Sequence, residues 1–169
     1  MEQRFYVDPV LYEGRPQDTA GRQARELAVY DLLDRLGIAY ARADHDPAMT
    51  IADCGAVDRL LGVAMCKNLF LCNAQRTAFY LLLLPGTKPF RTKDLSRQIG
   101  SARLSFADAA HMEEYLDILP GAVSVMGLMN DHGGRVRLLI DREVTNAPYV
   151  GCHPCAVSYT HLTLPTNSL

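Results

Sequence analysis

The amino-acid sequence predicts one α+β domain of mixed α/β element order, with a sheet that is antiparallel wherever connections are short. Helical and strand-like segments follow each other in the order α, β, α, β, β, α, β, α, β, β. Two apolar runs, "NLFLC" and "AFYLLLLP", have the nearly continuous character of strands buried on both faces. The 169 residues are 49% hydrophobic and 21% charged, which suffices for one ordinary core.

The first third of the chain predicts two helices around a strand. Thr19 is expected to cap a helix that runs to about Leu36 and ends at Gly37. The segment "IAYARAD" then predicts a short strand, and "HDPAMT" predicts a loop. Thr50 is expected to cap a second helix, over residues 51–61.

The middle of the chain predicts a hairpin followed by two helices. The polar "NAQR" joins the two apolar runs and indicates the hairpin turn. Thr92 is expected to cap a helix over "KDLSRQIG", and "RLSFA" predicts a short extended segment. A further helix is expected over "ADAAHMEEYLDIL", ending at Pro120 and Gly121.

Residues 121–144, "GAVSVMGLMNDHGGRVRLLIDREV", predict a loop and then a strand. The strand is expected from Arg135 to Val144, behind a tight turn. The loop carries small and apolar residues, and Ser124 is the only side chain of its first five residues with a nucleophilic atom. A last strand is expected in "NAPYVGCHPC".

The two ends of the chain differ from this pattern. Residues 1–18 form an extension without an interpretable pattern, and residues 19–156 are the predicted domain. The tail "VSYTHLTLPTNSL", residues 157–169, lacks a helical face and resembles a translated cloning adapter. We therefore expect a non-native tail that replaces the end of the domain.

Composition and charge exclude several classes of protein. The formal net charge of −2 argues against a large non-specific nucleic-acid footprint, so any contact with RNA should be local. The longest apolar run, "FYLLLL", is far below the ~20 residues that cross a bilayer, and the first residues show no signal peptide. Five cysteines do not resemble a secreted disulfide framework. These observations predict a cytoplasmic protein without a membrane segment.

The segment Cys152-His153-Pro154-Cys155 is a C-x-x-C with an internal histidine. A redox site would need Cys152 at the start of a helix, with further βαβ structure behind it. A structural zinc site would need four ligands, and no second C-x-x-C pair is present in the sequence. The pattern therefore favours ordinary buried thiols.

Two further positions are candidates for chemistry. His153 lies between Gly151 and Pro154, whose backbones constrain its orientation, although a histidine tolerated in a surface loop explains the spacing equally well. Lys67 and Asn68 precede the apolar run "LFLC" and are expected at the open end of a buried strand. A solvated strand start is the alternative.

Three segments in combination resemble a known family. They are "CKNLFLCN" with "FYLLLLPG", then "RLSFADAAHMEEYLDILPGAVSVMGLMND", and finally "GCHP". Over roughly residues 20 to 156 the sequence resembles the YbaK-like aminoacyl-tRNA editing domains. Within them it is most similar to the free-standing deacylases related to the insertion domain of bacterial prolyl-tRNA synthetase. The resemblance implies a YbaK-like fold, with a central, mostly antiparallel sheet or partial barrel flanked by helices.

The resemblance also implies roles for single residues. Lys67 matches the essential lysine that fixes the aminoacyl end of the tRNA, and Asn68 matches the adjacent amide. Gly121 opens the loop whose backbone groups hold the substrate and the attacking water. Ala122 and Ser124, in the same loop, belong to the implied substrate-binding set.

Three implied binding residues lie elsewhere, and one position departs from the family. His153 matches a histidine that shapes the amino-acid pocket, and His45 and Thr50 match a stretch at the pocket entrance. Ser124 is interpreted as a polar wall, because no His/Asp partner stands at a recognisable motif spacing. Where the family usually has proline, this chain has Val125, which does not lock φ, so the loop should be less rigid.

The implied reaction is hydrolysis of a mischarged aminoacyl-tRNA, with Ala-tRNA(Pro) as the expected substrate and with neither a metal nor a cofactor. The expected partner is the aminoacylated 3′ end of tRNA, and binding to prolyl-tRNA synthetase and the oligomeric state are left open. The alternatives are a Cys-tRNA(Pro) deacylase, a non-catalytic module that binds a tRNA acceptor or a synthetase, and a thiol oxidoreductase at Cys152 and Cys155.

Overall fold

The computed structural model describes residues 5–46, 51–63, 65–156 and 160–168. These residues form two four-stranded sheets, with strand orders β1-β2-β8-β7 (first sheet) and β5-β3-β4-β6 (second sheet). The strands are β1 Tyr12–Glu13, β2 Ala41–Asp44, β3 Cys66–Asn73, β4 Phe79–Pro85, β5 Leu104–Phe106, β6 Val136–Ile140, β7 Tyr149–Cys152 and β8 Thr160–Pro165. The helices are α1 Ala24–Leu36, α2 Ile51–Leu61, α3 Thr92–Gln98, α4 Ala109–Leu116 and α5 Arg142–Asn146, with 3₁₀ helices at Val125–Asn130 and Thr166–Ser168.

The β3–β4 hairpin is the centre of the second sheet. Its antiparallel register runs without interruption from Cys66 opposite Pro85 to Cys72 opposite Phe79. β5 flanks β3, and β6 flanks β4 in parallel. Both strands of the predicted hairpin are therefore central, as their apolar character predicted, and the mixed α/β class is confirmed.

The main core lies between the two sheets and the helices α1 and α4. Each of its residues exposes less than a tenth of its surface. They include Val29 and Leu33 of α1, Phe70, Leu81 and Leu83 of the second sheet, Leu116 of α4, and Val150, Leu162 and Leu164 of the first sheet. A second apolar cluster joins α3 to the opposite face of the second sheet through Leu71, Leu82 and Leu95. We call that opposite face, away from the main core, the outer face.

Two predicted helix starts are wrong. α1 begins at Ala24, because residues 19–22 form a turn closed by the Arg22 N–H on the Thr19 carbonyl (3.2 Å), with Gly21 at φ 76°. α3 begins at Thr92 itself, so this residue is inside the helix and its N-cap is Arg91, which makes no side-chain cap.

The strand expected from Arg135 to Val144 is shorter than predicted. Only Val136–Ile140 are extended, because the Asp141 carboxylate accepts the Glu143 N–H and caps the short helix α5. The preceding loop also contains a 3₁₀ helix, Val125–Asn130, that the sequence did not predict.

Both ends of the chain contribute strands to the first sheet. β1, within the uninterpreted extension, pairs with β2. β8, within the tail, lies between β2 and β7 and buries Leu162 and Leu164 in the main core. The tail thus supplies an inner strand of the first sheet, and its non-native origin stays a prediction. Among the helices of the described residues, none has the length and apolar character needed to span a membrane.

Candidate functional site

The two sheets meet where β3 begins and β7 ends. Met65 and Gly151 form an isolated parallel bridge between them. A Cβ at Gly151 would lie 2.5 Å from the Met65 Sδ, so a larger residue would force the Met65 side chain to move. Because Lys67 and Asn68 follow Met65 and His153 follows Gly151, the bridge brings these predicted site residues to one region of the molecule.

Lys67 and Asn68 lie on opposite faces of β3. Neighbouring side chains of a strand point to opposite faces, and the pairing of β3 with β4 contains no bulge. Lys67 therefore shares the outer face with Leu71, which packs toward α3. Asn68 shares the inner face with Phe70 of the main core.

The Lys67 ammonium is held by the loop between β4 and α3. Its Nζ donates to the Lys88 carbonyl at 2.8 Å. The Lys88 side chain is itself fixed by Asp141 (2.9 Å) and Glu143 (2.6 Å), at the start of α5. Gly86 packs so closely on the Met65 carbonyl that a Cβ would lie 2.7 Å from its oxygen. The carbonyl that receives Lys67 is thus anchored from two sides.

Ser124 links the loop 121–125 to the end of β7. The fully buried hydroxyl donates to the His153 carbonyl at 2.6 Å and accepts the Met126 N–H at 3.2 Å. These two bonds hold the loop against the end of β7, and the role of Ser124 as a polar wall stays a prediction. The hydrogen of this hydroxyl is committed to a carbonyl instead of a base.

The same loop offers backbone donors. Gly121 has φ 92°, a conformation that favours glycine, and the Ala122 N–H closes a turn on the Leu119 carbonyl at 3.1 Å. The Ala122 methyl is fully buried in the main core, so Ala122 offers a ligand neither its side chain nor its N–H. Within the described part of the chain, the N–H groups of Gly121, Val123 and Ser124 have no hydrogen-bond partner.

Three histidine rings form a row at the same end of the first sheet. The His161 ring centroid lies 4.6 Å from that of His45 and 4.1 Å from that of His153. His45 Nε2 is within hydrogen-bond distance of His161 Nδ1, and its Nδ1 contacts the Asp46 carbonyl at 2.6 Å. Burial lowers the pKa of all three rings, that of His153 to about 4. The row is therefore uncharged at neutral pH.

His161 was not a candidate in the sequence, because it stands in the atypical tail. The signal that could have identified it is the alternation in "HLTLP", where Leu162 and Leu164 face the core and His161 faces the other side. Thr50, the remaining predicted binding residue, lies outside the described residues.

Two predicted site residues carry buried polar atoms without a partner. They are Asn68 Oδ1 and His153 Nδ1. The Asn68 amide nitrogen donates to the Cys66 carbonyl at 3.2 Å, which fixes the side chain and leaves its oxygen unpaired. Other such atoms, on Tyr40, Thr163 and Thr166, belong to residues that matched no motif.

The cysteines near this region lack the features of a redox pair. Cys152 ends β7, and the residues after it, up to 156, contain no helix. Burial raises the pKa of Cys66 to about 11 and that of Cys152 to about 12, and it also raises the pKa of Cys155. These thiols stay protonated at neutral pH, which makes them poor nucleophiles. In the described ranges, no three His, Cys, Asp or Glu side chains are arranged to hold a metal ion.

Known proteins share both the sequence and the fold. The family model for the aminoacyl-tRNA editing domain matches residues 45–169. Prolyl-tRNA editing protein ProX of Acetoanaerobium sticklandii is 35% identical over 127 residues, covering 75% of this chain and 77% of ProX. Prolyl-tRNA synthetase associated domain-containing protein 1 of Danio rerio is 30% identical over 142 residues, covering 82% and 76%. A solved structure of a proposed trans-editing enzyme for prolyl tRNA synthetase has a TM-score of 0.64 at 14% identity, covering 86% and 89%.

These matches define the class of the protein. Because the family model covers most of the chain and ProX is similar over three quarters of it, the chain belongs to the aminoacyl-tRNA editing domain family. It is an aminoacyl-tRNA deacylase, a hydrolase of the ester between an amino acid and the terminal ribose of tRNA. The predicted YbaK-like fold is confirmed, as two sheets that meet at one edge without closing into a barrel.

Proposed function

We propose that this protein deacylates Ala-tRNA(Pro) in trans, removing alanine that a prolyl-tRNA synthetase has attached by error. The names of ProX and of the Danio rerio relative support the connection to proline tRNA and its synthetase. The reaction belongs in the cytoplasm, where charged tRNA is used. Contact with the synthetase itself is part of the proposal.

The observation that carries the proposal is the pair of unpartnered buried atoms, Asn68 Oδ1 and His153 Nδ1. Buried polar atoms in proteins are nearly always hydrogen-bonded, and exceptions need a reason. Of the five such atoms in the described residues, these two lie on residues that match the family's site, close to the bridge between the sheets. They are available to an ester, an amino group or a water.

The proposed mechanism uses a positioned water without a protein nucleophile. An aminoacyl ester is already activated, and the vicinal ribose hydroxyl of the substrate assists. Asn68 Oδ1 and the neutral His153 ring orient the water and the amino acid, while unpartnered amides of residues 121–124 stabilise the developing oxyanion. Lys67 supplies positive charge for the tRNA end from the outer face.

We propose that this site selects its substrate by size. A synthetase pocket built for proline rejects the smaller alanine by only ~1–3 kcal/mol, so a second site must remove the error. The inner face of β3 offers Asn68 among core residues such as Phe70. A small pocket at this position would admit alanine and exclude proline by its shape.

The test compares three substrates and two variants. Purified protein is incubated with Ala-tRNA(Pro), Pro-tRNA(Pro) and Cys-tRNA(Pro), and loss of the ester is measured. We expect selective loss of alanine, and a roughly 10²-fold slower rate in Lys67→Ala. Arg35→Ala, which removes an exposed charge on α1, is the matched control. Equal loss of proline, or full activity in Lys67→Ala, would overturn the proposal.

The same assay separates the other candidates. Faster loss of cysteine than of alanine would assign the Cys-tRNA(Pro) activity. Binding of tRNA without turnover would assign a non-catalytic module. A thiol mechanism predicts that Cys152→Ala abolishes function, whereas the protonated state of this buried thiol leads us to expect that deacylation persists.

A further inference from the structure

We propose that the outer face of the second sheet, around α3 and β5, is the surface along which the phosphate backbone of the tRNA acceptor end lies. We call the exposed cations of this surface, Arg91, Lys93, Arg97 and Arg103, the basic face. The inference rests on the deacylase function proposed above. It adds the direction from which the nucleic acid reaches the site.

The first observation is a local excess of positive charge. Residues 88–103 contain five Lys or Arg residues and one acidic residue, Asp94, in a chain whose formal net charge is −2. The rest of the chain is correspondingly acidic. A polyanion that approaches this protein is therefore attracted to one face and repelled by the others.

The second observation is that these cations are not neutralised by the protein. All four residues of the basic face are exposed. Within the described ranges none of them makes an ion pair, whereas paired cations are common elsewhere: Arg15, Arg22, Arg25, Arg42, Arg76, Lys88 and Arg135. Unpaired guanidinium and ammonium groups are the donors that bind phosphate oxygens.

The third observation is that the basic face is held as one unit. Ser96 is buried on α3, where its hydroxyl donates to the Thr92 carbonyl at 2.7 Å and accepts the Leu104 N–H at 3.0 Å. This bond ties α3 to β5, next to Arg103. Lys93 and Arg97 are one helical turn apart, so their side chains are neighbours on the solvent side.

An exposed aromatic ring extends the surface. Phe106, on the edge strand β5, is 61% exposed, and its ring lies 6.4 Å from that of Phe90 in a T-shaped contact. Unpaired bases stack on such rings, and cations beside them bind the backbone. The basic face with Phe106 therefore fits the single-stranded end of an RNA.

The surface is continuous with the site. Phe106 pairs with Leu71, four residues along β3 from Lys67, which corresponds to about 13 Å. That distance corresponds to about four nucleotides along the axis of a stacked nucleic-acid strand. Lys67 is on the same outer face, and its ammonium contacts the Lys88 carbonyl just before Arg91. An RNA strand that lies along the basic face therefore ends at Lys67.

The test measures the salt dependence of tRNA binding. Affinity for uncharged tRNA(Pro) is determined over a series of KCl concentrations for the wild type, for Lys93→Ala with Arg97→Ala, and for the control Arg35→Ala. We expect the slope of log Kd against log salt to fall by about 2 in the double variant and to stay unchanged in the control. Phe106→Ala should weaken binding roughly tenfold without a change of slope.

Hydrolysis of two substrates separates this inference from the proposed function. With Ala-tRNA(Pro), the double variant should raise KM roughly tenfold at constant kcat. With alanyl-adenosine, which keeps the ester and lacks phosphates, it should equal the wild type. An unchanged salt slope with intact deacylation would overturn the proposal that the basic face binds tRNA. The proposed deacylase function would not be affected. A wild type that hydrolyses neither substrate would overturn the function. Loss of binding to phosphatidylserine vesicles in the double variant, with unchanged tRNA binding, would assign the surface to lipid.

Discussion

The two faces of β3 differ in charge and in burial, although Lys67 and Asn68 are neighbours in the sequence. The outer face carries the Lys67 ammonium and the exposed cations of the basic face. The inner face leads to neutral groups, among them the fully buried Ser124 hydroxyl and the partly buried His153 ring, whose pKa is lowered. A single strand thus separates the groups suited to a polyanion from those suited to a small ester.

This separation has a physical reason. Burying an unpaired cation costs several kcal/mol, whereas a buried neutral acceptor without a partner costs about 1–3 kcal/mol. A site that keeps polar atoms ready for a substrate therefore uses neutral groups inside and charges outside. Binding of tRNA at the outer face should depend on ionic strength. Stability and turnover at the inner face should depend on pH and on the shape of the loop and the substrate.

The largest expected effect is loss of stability in acid, which tests the neutrality of the inner face. Burial lowers the pKa of His153 to about 4 and also lowers those of His45 and His161. Unfolded histidine titrates near pH 6.5, so between pH 6.5 and 4 the unfolded chain binds more protons. Stability is present above this window and is lost as the pH falls, by on the order of 3 kcal/mol for His153 alone.

Urea unfolding at pH 7.5, 6 and 5 measures this dependence. His153→Gln should make the decline shallower, and His132→Gln, at an exposed turn position, should leave it unchanged. Equal stability at all three pH values would mean that the histidine row is not held neutral by burial.

The second prediction concerns the link between the loop and β7. Ser124→Ala leaves the His153 carbonyl and the Met126 N–H without their partner, which should cost about 2 kcal/mol of stability. If Ser124 only positions the loop, kcat should fall by about tenfold and remain measurable, whereas loss of a nucleophile would abolish turnover. Single-turnover deacylation and thermal unfolding are measured beside the control Ser101→Ala.

The third prediction concerns the loop that holds Lys67. Lys88→Ala removes the ion pairs to Asp141 and Glu143, and exposed pairs of this kind contribute little to stability. The Lys88 carbonyl should then be less fixed, and kcat/KM should fall a few-fold. Lys88→Arg should restore most of the activity, while Arg142→Ala on α5 serves as control. Activity equal to the wild type in Lys88→Ala would show that Lys67 does not depend on this anchor.

The smallest effect is expected at the position where the family has proline. Val125 is the first residue of its 3₁₀ helix, where proline is favoured, and Ser124 before it is extended at φ −146° and ψ 148°. Val125→Pro should therefore change stability by less than ~1 kcal/mol. A faster rate of deacylation would show that loop stiffness limits the reaction, an equal rate would show that valine suffices, and a tenfold slower rate would contradict this placement.

Local patterns predicted a large part of the fold. The bounds of α2, the β3–β4 hairpin and the short strand β5 follow from apolar runs, turn residues and glycine. The errors arose where a polar residue is compatible with two kinds of local structure. The sequence predicted Asp141 within a strand, although it caps α5. It predicted Thr92 as a helix cap, although this residue lies inside α3.

The site was predictable in its residues and less so in its geometry. Motif resemblance identified Lys67, Asn68 and His153, whose roles stay predictions. That Lys67 and Asn68 face opposite sides follows from strand alternation, once the register of β3 is known. The contact of Ser124 with His153 joins residues 29 apart in sequence, and no local pattern encodes it.

The position of β8 has a consequence for how the chain folds. The second sheet is built from strands between residues 66 and 140, while β8 must insert between β2, more than 100 residues earlier, and β7. During synthesis the strands of the second sheet are made before β8. Until then β2 and β7 present unpaired edges and an uncovered part of the main core, a state exposed to aggregation and to chaperones.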